Sequence, residues 1–273
     1  MSKVKPQPIY TEGNTTAAFQ LNWSLTLSMR EKLLVPASIF ESLKSATEPD
    51  AVRILEQKQM DDLRLQFLVS TRPHVSPAEV VRSVKGRLQY LMRAIKPKIF
   101  QGTYNISSIG EANNDCLSSY VAKQPQRHPM ADPSVQKQIE HLQFYDATAD
   151  LKEPQFSNHG RYLHNLHIVI ENRDHLHNVN EDVLRKLRSM IIRSCAQKQH
   201  LLARIGLVSN HMHLLLGCNN VSSPQSVALA LMNNMAYALD MQAISEFSYY
   251  VGTFGPYDRD AIRQAIRSQN CSE

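Results

Sequence analysis

The 273-residue chain, 42% of it hydrophobic, is long enough for one large or two ordinary domains and apolar enough for a real core. Its net charge of +5 and pI near 9.0 permit a polyanionic partner without specifying one. Cys116, Cys195, Cys218 and Cys271 lie far apart with no C-x-x-C pair, which argues against a zinc cluster or a disulfide framework. No run approaches the ~18 apolar residues of a membrane-crossing helix, and MSKVKPQPIY lacks the apolar segment of a secretory signal, so an intracellular, cytoplasmic protein is expected.

Residues 1–20 are polar and read as a loose arm. Leu21–Ser28 alternates like a strand, and Pro36–Ala46 places Ile39, Phe40 and Leu43 on one helical face. Ala51–Lys58 and Leu63–Ser70 read as two strands around a polar turn. Ser76-Pro77-Ala78-Glu79 is a helix start, with Ser as N-cap, Pro at the first position and Glu at the third. A strand at Tyr104–Ile109 and a short helix at Asn113–Lys123 follow. Residues 125–160 read as a linker carrying a helix at Val135–Phe144. Beyond it come a strand at Leu163–Glu171, a helix at Asn180–Ala196 and strands at Leu201–Val208 and His211–Gly217. A helix opened by Ser223-Pro224, a strand at Tyr249–Phe254 and a helix at Tyr257–Ser268 complete the chain.

Strand, helix, strand, strand, helix, strand, helix thus occurs twice. Leu65–Pro77 lies on Met212–Pro224 at a constant offset of 147, both stretches ending in Ser-Pro, and Tyr104–Gly110 lies on Tyr249–Gly255 at an offset of 145. The order predicts an α+β protein of two tandem ferredoxin-like (split β-α-β) units, with antiparallel sheets and helices packed on one face. The expected boundaries are an arm at 1–20, a first unit at 21–124, a linker at 125–160 and a second unit at 161–273.

The chemistry concentrates in GLVSNHMHLLLGC, residues 206–218. On a strand, His211 and His213 point to the same face and Met212 to the other. Two neighbouring imidazoles in an apolar strand are costly to bury alone and suit a divalent metal; two structural histidines at a strand edge are the plain alternative. The repeat is asymmetric here. His211 and His213 fall on Arg64 and Gln66, while Tyr120 and Gln124, spaced as i and i+4 of a helix, fall on Ala265 and Gln269. One half carries candidate ligands and the other a candidate nucleophile.

The text S-N-H-M-H-L-L-L resembles the histidine–hydrophobe–histidine (HUH) motif of the single-tyrosine transposases of insertion sequences and of the REP-associated tyrosine transposases. Asn165–Val169 is similar to that family's opening strand, Tyr250-Val251-Gly252-Thr253 to the strand before its last helix, and Tyr120-x-x-x-Gln124 to its catalytic helix. The resemblance covers residues 20–124 and 160–270 and departs from the family in fusing two units that in the family are two protomers. It implies one composite site: Tyr120 as nucleophile, with His211, His213 and Gln124 holding Mg²⁺ or Mn²⁺. The opposite site, at Arg64, Gln66 and Ala265, would be dead.

The implied activity is cleavage and rejoining of single-stranded or hairpin DNA through a 5′-phosphotyrosine, by a nucleoid-associated pseudo-dimer within one chain. Arg82, Lys85, Arg87 and Arg93 form a candidate backbone-binding helix face, which also reads as an ordinary solvated surface, and Arg64 is a candidate phosphate contact. Tyr249 and Tyr250 read as core or stacking residues and Tyr237 as the structural match of Tyr90; Tyr257 is a weak rival nucleophile. His164, His167, His175, His177 and His200 receive no role. The competing functions are a domesticated transposase that binds hairpin or single-stranded DNA without cutting, and a metal-dependent hydrolase unrelated to DNA that uses only the histidines and water.

Overall fold

The computed structural model describes residues 7–268. In chain order the elements are β1 (Thr16–Gln20), β2 (Asn22–Met29), α1 (Ala37–Thr47), β3 (Val52–Asp61), β4 (Arg64–Thr71), α2 (Pro77–Met92), β5 (Phe100–Ile109) and α3 (Asn114–Ala122). There follow α4 (Gln124–Arg127), α5 (Pro133–His141), β6 (Phe144–Tyr145), β7 (Gln155–Ser157) and β8 (Gly160–Leu163). The remainder is β9 (Asn165–Glu171), α6 (Glu181–Gln197), β10 (Leu201–Leu207), β11 (His211–Gly217), α7 (Pro224–Ala238), β12 (Ser248–Phe254) and α8 (Arg259–Ser268). The fold is α+β, with two six-stranded sheets and eight α-helices among the described residues.

Local chemistry explains the helix starts. Ser76 accepts from the Glu79 amide while Glu79 reaches back to the Ser76 amide, a complete capping box with Pro77 at the first position. Ser223 caps α7 with Pro224 in the same place but without a returning carboxylate.

The sheets run β3-β4-β2-β5-β8-β7 and β1-β12-β9-β11-β10-β6. The four main strands of each follow the same spatial order, second, third, first, fourth, and pair antiparallel. Neither sheet is wholly antiparallel, which corrects the expectation: β1 pairs parallel with β12, and β8 pairs parallel with β5. The loose arm and the plain linker are corrected with it. Residues 16–20 form an edge strand, and the 125–160 stretch supplies α4, α5, β6 and β7, with β8 beginning at its last residue. β1 is an edge strand held by backbone pairing and needs no apolar alternation, and β8 is only four residues long, between β5 and β7, so TAAFQ and GRYL carried little signal.

Only Leu21 separates β1 from β2, and only His164 separates β8 from β9. Each pair is therefore one strand passing from one sheet into the other. Equivalent residues bond across the junction. The Ser108 hydroxyl donates to the Phe254 carbonyl at 2.7 Å and accepts from the Asn165 amide at 3.0 Å. The Thr253 hydroxyl donates to the Ile109 carbonyl at 2.7 Å and accepts from the Asn22 amide at 2.8 Å. The backbones approach so closely that a Cβ on Gly110 would stand 2.3 Å from the Thr253 carbonyl oxygen, and one on Gly255 2.2 Å from that of Ser108.

Each sheet buries one face under its own two helices: Trp23, Leu25, Phe67, Val80 and Leu88 in the first half, Ile168, Ile205, Met212, Leu214, Leu187 and Met232 in the second. The other face is not bare. Val121 of α3 packs with Leu215 and Phe254 of the second sheet, and Ile266 of α8 packs with Leu68 and Ile109 of the first. Helices thus cover both faces of each sheet, and the outer helix comes from the other half. The expectation of helices on one face fails because β11 and β4 are apolar on both sides, through Leu215 and Leu68.

Candidate active site

His211 and His213 do project together from β11, onto the face that α3 covers. The strand's parity requires it, since Met212, Leu214 and Leu216 take the core side. Their Nε2 atoms face each other at 3.1 Å. His211 Nδ1 contacts Asn210 Oδ1 at 2.9 Å, and His213 Nδ1 contacts His167 Nε2 at 2.9 Å. His167 stands on β9, the strand next to β11, with its ring within 14° of the plane of the His213 ring and the centroids 5.2 Å apart, so the two rings meet edge to edge through these nitrogens. On its far side lies the Tyr250 ring, at 5.6 Å.

Burial disfavours charge on all three imidazoles. It pushes His167 down to about 4. Burial, reinforced by His167, His211 and His128, pushes His213 down to about 2. His211 is lowered by burial and by His128, with Glu171 opposing. All three are neutral at physiological pH, as a metal ligand must be.

Tyr120 reaches this group from the first half. Its ring meets His213 edge-on, centroids 5.6 Å apart at 86°, and is half-exposed at 37%. The Arg127 guanidinium lies 4.7 Å from the centre of the Tyr120 ring. Tyr120 and Gln124 are not on one unbroken helix, as their spacing implied. The helix stops at Lys123 and α4 begins at Gln124, because Pro125 has no amide to continue the ladder. Gln124 is buried, and its Nε2 donates to the Tyr120 carbonyl at 3.4 Å. No hydrogen bond among the described residues links it to His211 or His213. His128, just past α4, places its exposed ring 5.0 Å from that of His211.

Among the described residues, no three His, Cys, Asp or Glu side chains converge as a ready-made cation site. The paired Nε2 atoms do fit a divalent cation as two adjacent nitrogen ligands. Each ring's other nitrogen is held by a neighbour, the usual support for a ligating histidine. The remaining positions would fall to oxygen donors.

The equivalent face of the first sheet holds a different set. Gln66 Nε2 donates to Ser24 Oγ at 3.2 Å, and Arg64 is tied to Asp61 at 2.7 Å. Ala265 lies on α8, and Gln269 falls outside the described residues. The basic residues of α2 are partly committed within the fold: Arg87 pairs with Asp50 at 2.6 Å and Lys85 donates to the Gln101 carbonyl at 2.7 Å. Arg93 stacks on Tyr90 at 4.0 Å, and Arg82 is exposed. None bonds to a residue of the histidine cluster. Tyr249 is buried in the core, as expected, while Tyr250 faces the histidines.

Sequence reasoning passed over His167 and His128. The first was within reach, because Leu166, Ile168 and Ile170 claim the core side of β9 and leave His167 on the opposite face. Nothing local marked His128.

No protein-family model matches the chain, and no curated protein matches it. Among solved structures, a REP-associated tyrosine transposase bound to a REP hairpin is similar at TM-score 0.31 and 12% identity, over 38% of this chain. The chain spans 62% of that protein's length. A putative transposase from Deinococcus radiodurans R1 is similar at TM-score 0.31 and 14% identity, over 44% of this chain and 98% of the other. A putative glycine cleavage system transcriptional repressor is similar at TM-score 0.22 and 12% identity, over 86% and 97%.

Proposed function

We propose that the chain is a metal-dependent endonuclease and strand transferase for single-stranded or hairpin DNA, built as two fused ferredoxin-like units with one composite HUH site. The observation that carries this reading is the contact of the Tyr120 ring, from a helix of the first half, with His213, on a strand of the second. Neither partner recurs at the equivalent position, where Gln66 bonds to Ser24.

A divalent cation, Mg²⁺ or Mn²⁺, held by His211 and His213 would polarise the scissile phosphate and offset charge developing on its oxygens. The Tyr120 oxygen attacks phosphorus and loses its proton. The bond from phosphorus to the 3′-oxygen breaks, and that oxygen takes up a proton as a free 3′-hydroxyl. The 5′-phosphotyrosine retains the bond's energy, so attack by a 3′-hydroxyl rejoins a strand without ATP. Arg127, stacked on the tyrosine, brings a fixed positive charge to the phosphate. The Gln124 side-chain oxygen would supply a third ligand to the cation, its Nε2 being the atom that donates to the Tyr120 carbonyl. Single strands are the substrate because the phosphate must come down to a sheet face beneath α3.

The test is incubation with labelled hairpin and single-stranded oligonucleotides and Mn²⁺, followed by denaturing gel and mass spectrometry. A covalent adduct on Tyr120, absent in Tyr120→Phe and His213→Ala, is the expected result. Tight binding without an adduct would assign a binding module, cleavage surviving Tyr120→Phe a tyrosine-independent hydrolase, and absence of DNA binding would overturn the reading.

A further inference from the structure

The end of α3 away from Tyr120 holds a polar side chain without a partner. Asn114, the first residue of the helix, is 7% exposed. Its backbone amide donates to the Gly255 carbonyl at 3.0 Å, but neither Oδ1 nor Nδ2 of its side chain has a hydrogen-bond partner among the described residues. A buried carboxamide left unpaired is costly and calls for an explanation. Asn114 lines a cavity of about 320 Å³, within the ~300–1,000 Å³ range of small-molecule clefts. Leu215 and Phe254 give it apolar walls, and Tyr145 presents a largely exposed ring, braced by the Arg204 guanidinium 4.3 Å from its centre. The loop that closes it is braced internally: Asp146 accepts from the Thr148 amide at 2.9 Å, Asp150 from the Lys152 amide at 2.8 Å, and Asn165 Nδ2 donates to the Leu151 carbonyl at 2.7 Å.

The lining defines the ligand. Its charged side chains are two carboxylates, Asp115 and Asp150, against one ammonium, Lys152, which does not suit an anion. A carboxamide sets an acceptor beside a donor in one plane, the complement of a nucleobase edge, adenine N6 and N7 above all. Apolar walls and an aromatic ring suit the flat faces of a base. We infer that this cavity takes one unpaired nucleobase, adenine in preference, with its edge on Asn114 and its face against Tyr145. Asn114 precedes Tyr120 by ~9 Å along the helix axis, so a strand held at Tyr120 brings a neighbouring nucleotide within reach. That source rests on the function proposed above; a free nucleotide offers the same chemistry. The other half has no such group. Arg259 stands at the equivalent position, its amide donating to the Gly110 carbonyl at 2.6 Å and its side chain pairing with Glu111 at 3.6 Å.

Two arms test this on the full chain. In the first, ¹H–¹⁵N spectra follow the Asn114 side-chain amide during titration with adenosine, guanosine, cytidine and thymidine. Adenosine is expected to shift it at the lowest concentration. Asn114→Leu, which keeps the bulk and removes the polar edge, should weaken adenosine binding ~5–150-fold, the range for one bidentate base contact. Ser118→Trp, which fills the cavity and leaves Asn114 in place, should abolish it, with both folds checked by circular dichroism. In the second arm, hairpin oligonucleotides carry an abasic site at each unpaired position in turn. One position should weaken wild-type binding by the same factor and leave Asn114→Leu unaffected, which assigns the base to the strand. A nucleoside response with no such position assigns the cavity to a free nucleotide. A response in neither arm overturns the inference, and a Tyr120 adduct formed by the same protein would leave the composite site standing. A nucleoside response in a protein that neither binds DNA nor forms the adduct overturns the proposed function and leaves the cavity.

Discussion

The outer faces of the two sheets share a backbone and differ in what stands on it. Each is covered by a helix from the opposite half, closed by a small apolar cluster and joined at the same hydroxyl-to-carbonyl contacts. On the second sheet the polar positions of this face hold His167, His211 and His213, with Tyr120 above. On the first they hold Ser24, Arg64 and Gln66. Buried imidazoles cost stability in acid, whereas a serine–glutamine pair is indifferent to pH. The scaffold is thus common to both faces, and the chemistry depends on a few side chains.

The sharpest way to break the comparison is to give the second sheet the pair of the first. His167→Ser with His213→Gln should keep the fold by circular dichroism and abolish the Tyr120 adduct, a fall of ~10³-fold or more of the kind seen when a unit of catalytic residues is removed. Retained adduct formation would mean the histidines are ornaments of the sheet.

The same double variant should alter the acid limb of stability. The folded-state values of His167 and His213, about 4 and about 2, lie below the ordinary histidine value. The unfolded chain therefore binds protons that the folded one refuses, and stability is complete above pH ~6.5 and lost as pH falls from there toward 4 and below. Each histidine can contribute a slope of at most ~1.4 kcal/mol per pH unit, so a few kcal/mol should disappear between pH 6.5 and 4. Denaturant melts across that range should be flatter for the variant.

Ser108→Ala and Thr253→Ala probe what the halves share. Each removes a buried hydroxyl that both donates and accepts across the junction, and each should cost ~1–3 kcal/mol in chemical denaturation. Unequal losses would show that the junction is not symmetric in energy.

The smallest effect separates the two helix starts. Ser76→Ala should cost ~1–2 kcal/mol, because it opens a complete capping box, and Ser223→Ala ~0.5–1, because it loses a single cap. Thermal melts of the two variants should keep that order.

Much of this was legible in the letters. The alternation around Trp23 and Leu25, the paired Ser-Pro caps and the parity of His211 and His213 lie in local sequence and survive in the structure. What was illegible depended on neighbours. β1 and β8 are strands because another half offers them an edge. His167 is a partner of His213 because β9 lies beside β11. Arg87 looked like free charge until the turn at Glu48–Asp50 brought Asp50 against it. The break before Gln124 was written in Pro125 but yielded to the attraction of an i, i+4 pair.

The two strands that cross between the sheets have a consequence for dissection. A cut between α5 and β7 would leave one fragment holding β1 and α3, which belong to the other's sheet, and a second holding β8 and α8, which belong to the first's. Neither fragment could close its own layers. Mixed together, they would have to acquire structure by complementation, and formation of the Tyr120–His213 contact would become dependent on fragment concentration, turning a chain-encoded property into a switchable association.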